Sequence, residues 1–211
     1  MASVTKRTFR RSKEERRQQM QEQLLRGVEG MLADGERYTD LSIDRIVAAA
    51  GIGRSNFYVY FDDKSALLQE FFEDLVVDLT VHATPWWELP ATASKDELRE
   101  AFREIFSTFL PHRHVWGAAV EAASYDDEMQ TRFQELMSDA TVSLANHIRQ
   151  AQSHAFARPD RDPDTMAAWL LWMTERGLYQ LISHADTTRF EALLESFTDI
   201  YWDTLYDWKR T

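Results

Sequence analysis

The chain contains no cysteine. Disulfides, zinc–thiolate sites and thiol catalysis are therefore excluded, and the composition suits a reducing compartment. Long hydrophobic runs are also missing. The longest strongly apolar stretch covers residues 166–173, far short of the ~20 residues needed to cross a bilayer, so no membrane partner is expected. The first twenty residues are polar and basic with no apolar core, so no secretory signal is expected and the cytoplasm is the expected location. Clean apolar–polar alternation is absent too, so nothing reads as a strand. Finally, no Gly-Lys-Ser/Thr sequence is present, which excludes a Walker phosphate loop.

What is present is charge segregation and helical periodicity. Net charge is −11 over 211 residues, 44% of them apolar. Residues 1–60 carry 11 Lys/Arg against 8 Asp/Glu, whereas the remainder carries 13 against 27. A locally basic end can bind DNA phosphates on an acidic body. Charge alone favours a solvated tail.

Apolar residues recur at three and four throughout, and about nine helices are expected, giving an all-α protein. The first spans about 13–33 and stops at Asp34-Gly35. Ser42 caps a short helix before Ile43, Ile46 and Val47. A third short helix covers about 54–60, and Asp63 caps a long fourth that ends before Pro85. The stretch "PWWELPATAS" reads as a linker, followed by a helix opened by the capping box Ser94–Glu97. Pro111 interrupts that helix, and two more follow over about 114–123 and 127–156. Asp162-Pro163 opens the eighth, to about 184. Thr188–Glu191 reads as a second capping box for the ninth, to about 208. Two domains are expected: 1–66, a three-helix helix-turn-helix head, and 67–211, a helical body.

The segment "AAAGIGRSNFYVYF", residues 48–61, carries the functional signal. Gly51 and Gly53 could begin a dinucleotide loop, but that needs a preceding strand and a third glycine, and Asn56 stands in the third position. A helix-turn-helix fits better. Ala48, Ala49 and Ala50 allow close packing, Gly51 can adopt positive φ, and Ile52 plugs the turn. The next helix then presents Arg54, Ser55 and Asn56 to base edges, where Arg suits guanine and Asn suits adenine. Ser42, Tyr58, Tyr60, Lys64 and an arm containing Arg10 and Arg11 are placed at phosphates or the minor groove.

These residues resemble the TetR family of bacterial transcription regulators. The match runs through Ser42, Ile43, Ile46, Ala50, Gly51, Ile52, Phe57, Tyr58, Tyr60, Phe61, Lys64, Leu67 and Leu68. Val47, Gly53 and Arg45 depart from the family pattern, which bears on operator sequence and cap strength. The segments "FSTFLPHRHVW" and "WMTERGLYQ" are similar to the subgroup of the ethionamide-resistance repressor. The resemblance implies a homodimer built by the last two helices and a ligand pocket in the body that controls affinity for operator DNA.

The residues of the body agree with that. Phe102, Ile105, Phe109, Trp116, Phe133, Met137, Leu171, Thr174, Glu175, Leu178 and Tyr201 are the candidate ligand-binding set, an apolar wall with few polar groups. Glu175 has Arg176 beside it as an alternative ion-pair partner. The eighth helix is apolar nearly all round and needs partners on every side, so the eighth and ninth helices are expected to form a two-fold interface.

No metal site is expected. His112 and His114 lack further ligands, and Asp160, Asp162 and Asp164 lack the glycine and glutamate of a calcium loop. No catalytic group and no cofactor are expected. The expected function is a ligand-responsive dimeric regulator, a repressor released from operator DNA by a small apolar or aromatic effector. The alternative is an all-α enzyme or a sequestering protein for an apolar metabolite.

Overall fold

The computed structural model of the chain describes residues 13–90 and 92–206. Among them there is no strand, and α-helices follow one another as α1 (Lys13–Ala33), α2 (Ile43–Ala50), α3 (Arg54–Phe57), α4 (Lys64–His82), α5 (Thr84–Trp87), α6 (Lys95–Phe109), α7 (Arg113–Ala122), α8 (Asp127–Ser153), α9 (Pro163–Gln180) and α10 (Thr187–Tyr201). The fold is all-α, as the periodicity requires. The described residues divide into two compact units, and the division falls within α4, between Ala66 and Leu67.

In the first unit, Met20, Leu24, Val28 and Leu32 recur every fourth residue along α1, and all four are buried. They form one stripe of the helix, as the 3.6-residue period demands. Ile46 of α2 and Phe57 of α3 are buried as well. Helix α1 meets α2 at Gly27, where an added Cβ would lie 3.2 Å from Ala50 N and 3.3 Å from Ala49 Cβ. Backbone approach, rather than side-chain interdigitation, therefore sets this crossing. Ser42 caps α2, its Oγ accepting from Arg45 N at 3.4 Å. Gly51 ends α2 with φ +67°, the left-handed conformation in which a Cβ is penalised. The turn between α2 and α3 is thus built on the one residue type that takes it without strain.

The second unit is bound together by rings. Phe72, Trp116 and Phe133 cluster with centroids 5.1 Å apart for Phe72–Trp116 and for Phe72–Phe133. Phe102, Phe197 and Tyr201 join α6 to α10, with centroids 4.9 Å apart for Phe102–Phe197 and 4.7 Å for Phe197–Tyr201. A polar seam runs beside these rings. Arg103 forks onto both oxygens of Glu191 at 2.5 and 2.7 Å, and Arg99 reaches the same carboxylate at 2.8 Å.

Several boundaries differ from the sequence expectation. Helix α3 ends at Phe57, and Tyr58–Tyr60 continue as a turn, with Val59 N bonded to Asn56 O at 3.4 Å and Tyr60 N to Phe57 O at 3.0 Å. These are the i→i+3 bonds of a tightening last turn. The expected linker is not structureless. Pro85 sits in the first turn of α5, where its missing N–H costs nothing. The Ser94–Glu97 capping box is present, with Ser94 N donating to Glu97 Oε2 at 2.7 Å. The second box is not. Asp186 caps α10 by accepting from Arg189 N at 2.8 Å, and Glu191 is held by Arg99 and Arg103 instead. Helix α8 stops at Ser153 because Ala155 turns left-handed, φ +53°. Past α9, residues 182–184 form a 3₁₀ turn; past α10, residues 202–206 form a π-turn. The last residues expected in the ninth helix lie outside the described chain.

Candidate functional sites: a polar helix-turn-helix face and an aromatic cavity

In the first unit, Arg54, Ser55 and Asn56 are all exposed at the start of α3. Phe57 holds them from beneath, fully buried and edge-on to Tyr58, with ring centroids 5.5 Å apart. Arg54 does not point freely outward. Its guanidinium pairs with Asp44, donates to the Tyr58 hydroxyl at 3.3 Å and lies 5.6 Å from that ring's centroid. Asp44 and Tyr58 thus hold the Arg54 guanidinium at the surface of the turn. Arg45 pairs with Glu36, Nη2 to Oε1 at 2.8 Å. Tyr58 is exposed and Tyr60 half-buried. Arg10 and Arg11 lie outside the described residues.

Lys64, expected at a phosphate, is engaged within the fold. Its Nζ donates to the backbone carbonyls of Tyr38 at 3.2 Å, Thr39 at 2.5 Å and Leu41 at 2.9 Å. An ammonium has three N–H groups, and these three acceptors use them all. Lys64 therefore fixes the segment between α1 and α2 to the start of α4.

In the second unit a cavity of about 410 Å³ opens among α4–α10. Nine of the eleven expected residues line it: Phe102, Ile105, Trp116, Met137, Leu171, Thr174, Glu175, Leu178 and Tyr201. Phe109 and Phe133 do not. Phe109 packs behind Trp116 with ring centroids 5.8 Å apart, and Phe133 stacks on Phe72, so both support the wall from outside the chamber. The sequence reading missed Val76, Val77, Leu79, Thr80 and Val81 of α4, and Trp86 and Trp87 of α5. Reading the tryptophan pair as linker hid it. Ala140 and Leu144 continue the Met137 stripe of α8 at helical spacing, which is the signal that could have found them.

The polar groups of the wall divide in two. Thr174 Oγ1 donates to Leu170 O at 2.7 Å and lies 2.7 Å from the Tyr201 hydroxyl, so it is satisfied within the fold. Burial pushes the Tyr201 hydroxyl pKa up, which keeps it neutral. Trp86 Nε1 donates to Tyr206 Oη at 3.0 Å, and Tyr206 Oη stands 3.0 Å from His147 Nε2. Glu175 and the Trp116 indole nitrogen are buried without a well-formed hydrogen bond, although the indole N–H lies near enough to the carboxyl to act on it weakly. Burial pushes the Glu175 carboxyl up; Arg176 and Trp116 pull it the other way more weakly. No helix among the described residues is long and apolar enough to cross a membrane.

The comparisons agree with this architecture. Residues 37–71 match the model of bacterial regulatory proteins of the tetR family, and residues 98–207 match that of the transcriptional regulator EthR, C-terminal domain. The chain is 25% identical over 189 residues to the HTH-type transcriptional regulator EthR of Mycobacterium tuberculosis, covering 89% of this chain and 87% of that one. It is 26% identical over 176 residues to the HTH-type transcriptional repressor DhaR of a Mycobacterium species, covering 77% and 87%. A transcriptional regulator from Saccharomonospora viridis, solved in complex with choline, shares the fold with a TM-score of 0.69 at 15% identity, over 92% of this chain and 100% of that one. With the second model covering half of its length, the chain belongs to the TetR family of bacterial transcriptional regulators, with a C-terminal domain of the EthR type.

Proposed function

We propose that the protein is a cytoplasmic, dimeric repressor that binds operator DNA through its first unit and releases it when a small apolar or aromatic effector fills the cavity of the second. The observation that carries this reading is the course of α4. The helix begins at Lys64, tied into the helix-turn-helix, and five of its later residues, from Val76 to Val81, line the cavity. A ligand that fits the chamber only after α4 shifts would transmit that shift to the head. Such a ligand must bind the non-binding state better than the DNA-bound one.

Arg54, Ser55 and Asn56 read bases. Ser42, Tyr58, Tyr60 and the Arg10/Arg11 arm contact the backbone or the minor groove. The dimer forms through α9 and α10, where Trp169 is 78% exposed and Trp172, Met173 and Ile200 are each 40–44% exposed. Exposed tryptophans on adjacent turns of one helix favour a buried two-fold interface over a solvated face. Family membership favours regulation over the enzyme or sequestering alternative.

The test is selection of bound fragments from a random duplex pool, followed by binding at rising salt. A two-fold-symmetric site is expected, with affinity falling steeply as salt rises. A protein that enriches no sequence and is not retained on duplex DNA at low salt would refute the reading.

A further inference from the structure

The polar groups that line the cavity are mostly engaged inside the fold. Thr80, Ser143 and Thr174 donate to carbonyls of their own helices, and Trp86 donates to Tyr206. Glu175 differs. Its side chain is 2% exposed, and neither carboxylate oxygen has a hydrogen-bond partner. The Arg176 Nε lies 3.7 Å from Oε2, beyond hydrogen-bond reach, and the Arg176 guanidinium is exposed, 5.8 Å from the centre of the Tyr179 ring. Trp116 Nε1 is buried in the same wall, makes no well-formed hydrogen bond, and lies near enough to Glu175 to lower its pKa weakly. A carboxylate removed from water with only a loose ion pair to Arg176 and a weak contact to Trp116 is costly, and folds keep one there chiefly where something completes it.

The rest of the lining indicates what completes it. Among the described residues the wall contains no lysine or arginine, and its second carboxylate, Asp139, is exposed. An anionic ligand would therefore meet only like charge. Trp86, Trp87, Phe102 and Tyr201 stand in the wall, and aromatic rings attract cations as well as apolar groups. A purely hydrocarbon ligand would fill the chamber but leave the carboxylate as it stands.

We propose that the effector is an amphiphilic amine, with a protonated nitrogen that takes the oxygens of Glu175 and a compact apolar body that fills the aromatic chamber. This rests on the cavity being the effector site. Glu175 supplies charge selection and the aromatic wall supplies affinity for the body of the ligand.

Three probes of one shape test it: 4-phenylbutylamine, 4-phenylbutan-1-ol and 4-phenylbutyrate, titrated calorimetrically into the full-length protein at pH 7.5, where the amine is protonated. The expected result is binding of the amine about ten-fold or more tighter than the alcohol, with the carboxylate weakest. Glu175→Gln is expected to remove the preference for the amine while leaving the alcohol's affinity unchanged. Its melting temperature without ligand is expected to equal or exceed that of the parent, because a buried, poorly paired charge is gone. Retained binding of the alcohol shows that the variant is folded. Alcohol binding as tight as amine binding, or an amine preference that survives Glu175→Gln, overturns the proposal while leaving the cavity as an effector site. If none of the three binds, the proposal and the effector-site reading both fall.

Discussion

Tyr38 and Lys64 hold each other by two hydrogen bonds that run in opposite directions. The Tyr38 hydroxyl donates to Lys64 O at 2.5 Å, and Lys64 Nζ donates to Tyr38 O at 3.2 Å. The ammonium also lies 5.8 Å from the centre of the Tyr38 ring. Because Nζ serves Thr39 and Leu41 as well, replacing Lys64 by Met takes a donor from three carbonyls, of which Tyr38 O keeps Leu41 N. We expect Lys64→Met to cost about 1–3 kcal/mol of stability, the range for charged hydrogen bonds at a half-buried site. Chemical denaturation measures it. The salt dependence of DNA binding should keep its slope, whereas loss of a true phosphate contact would lower the slope by about 1. A changed slope with unchanged stability would restore the phosphate role.

His147 provides a pH test. Tyr206 accepts from Trp86 Nε1, a group that can only donate, so its own O–H is available to His147 Nε2. This arrangement requires a neutral imidazole. Burial lowers the His147 pKa from 6.5 to about 4. The unfolded chain therefore takes up the proton first as pH falls. The stability held by neutral His147 is complete above about 6.5 and is lost through the window down to about 4, on the order of 3 kcal/mol in all. His147→Gln keeps an acceptor for Tyr206 and cannot protonate. Its unfolding midpoint in urea should fall less than that of the parent between pH 7 and pH 4.5. Parallel declines would show that His147 does not titrate in this way.

The helix-turn-helix was legible because its determinants are local. Ser42, the alanines, Gly51 and Phe57 act within a few residues of one another, and Gly51 takes the left-handed turn that its position demands. The Ser94–Glu97 box was legible for the same reason. What the sequence hid depends on partners far along the chain. Lys64 finds carbonyls 23 to 26 residues away, and Glu191 is drawn from the cap position by arginines 88 and 92 residues away. Trp86 bonds across 120 residues to Tyr206. No periodicity encodes such pairs. Six of the nine wall residues that were found lie on α6 and α9, where they recur at helical spacing. Phe109 and Phe133 share that spacing yet face a second layer of rings, a distinction that needs three dimensions.

Ala155 marks a position where the fold carries avoidable strain. It adopts φ +53°, where a Cβ crowds the following carbonyl, and it closes α8 with Phe156 N bonded to Ala151 O at 2.8 Å. Glycine takes this conformation without that clash but has more freedom to lose on folding. The clash is the larger effect, so Ala155→Gly should stabilise the protein by about 0.5–1 kcal/mol, seen as a higher melting temperature. An unchanged or lower value would mean that the surrounding turn already relieves the strain.

The exposed face of α9 supplies the test of assembly. Trp169 and Trp172 are exposed at positions three apart, with Met173 beside them. Scattered surface apolar residues are ordinary, but two tryptophans on adjoining helical turns are a large area to leave wet. If α9 and α10 pair across a two-fold axis, Trp169→Glu places a charge on both sides of that axis at once, and burying it unpaired is prohibitive. Sedimentation equilibrium should then give a monomer for the variant and a dimer for the parent. Helical content should stay unchanged, since Trp169 is solvent-facing within one chain. DNA affinity should fall with it, because a symmetric site binds two linked heads far better than one. A variant that remains dimeric with full DNA affinity would move the interface away from this face.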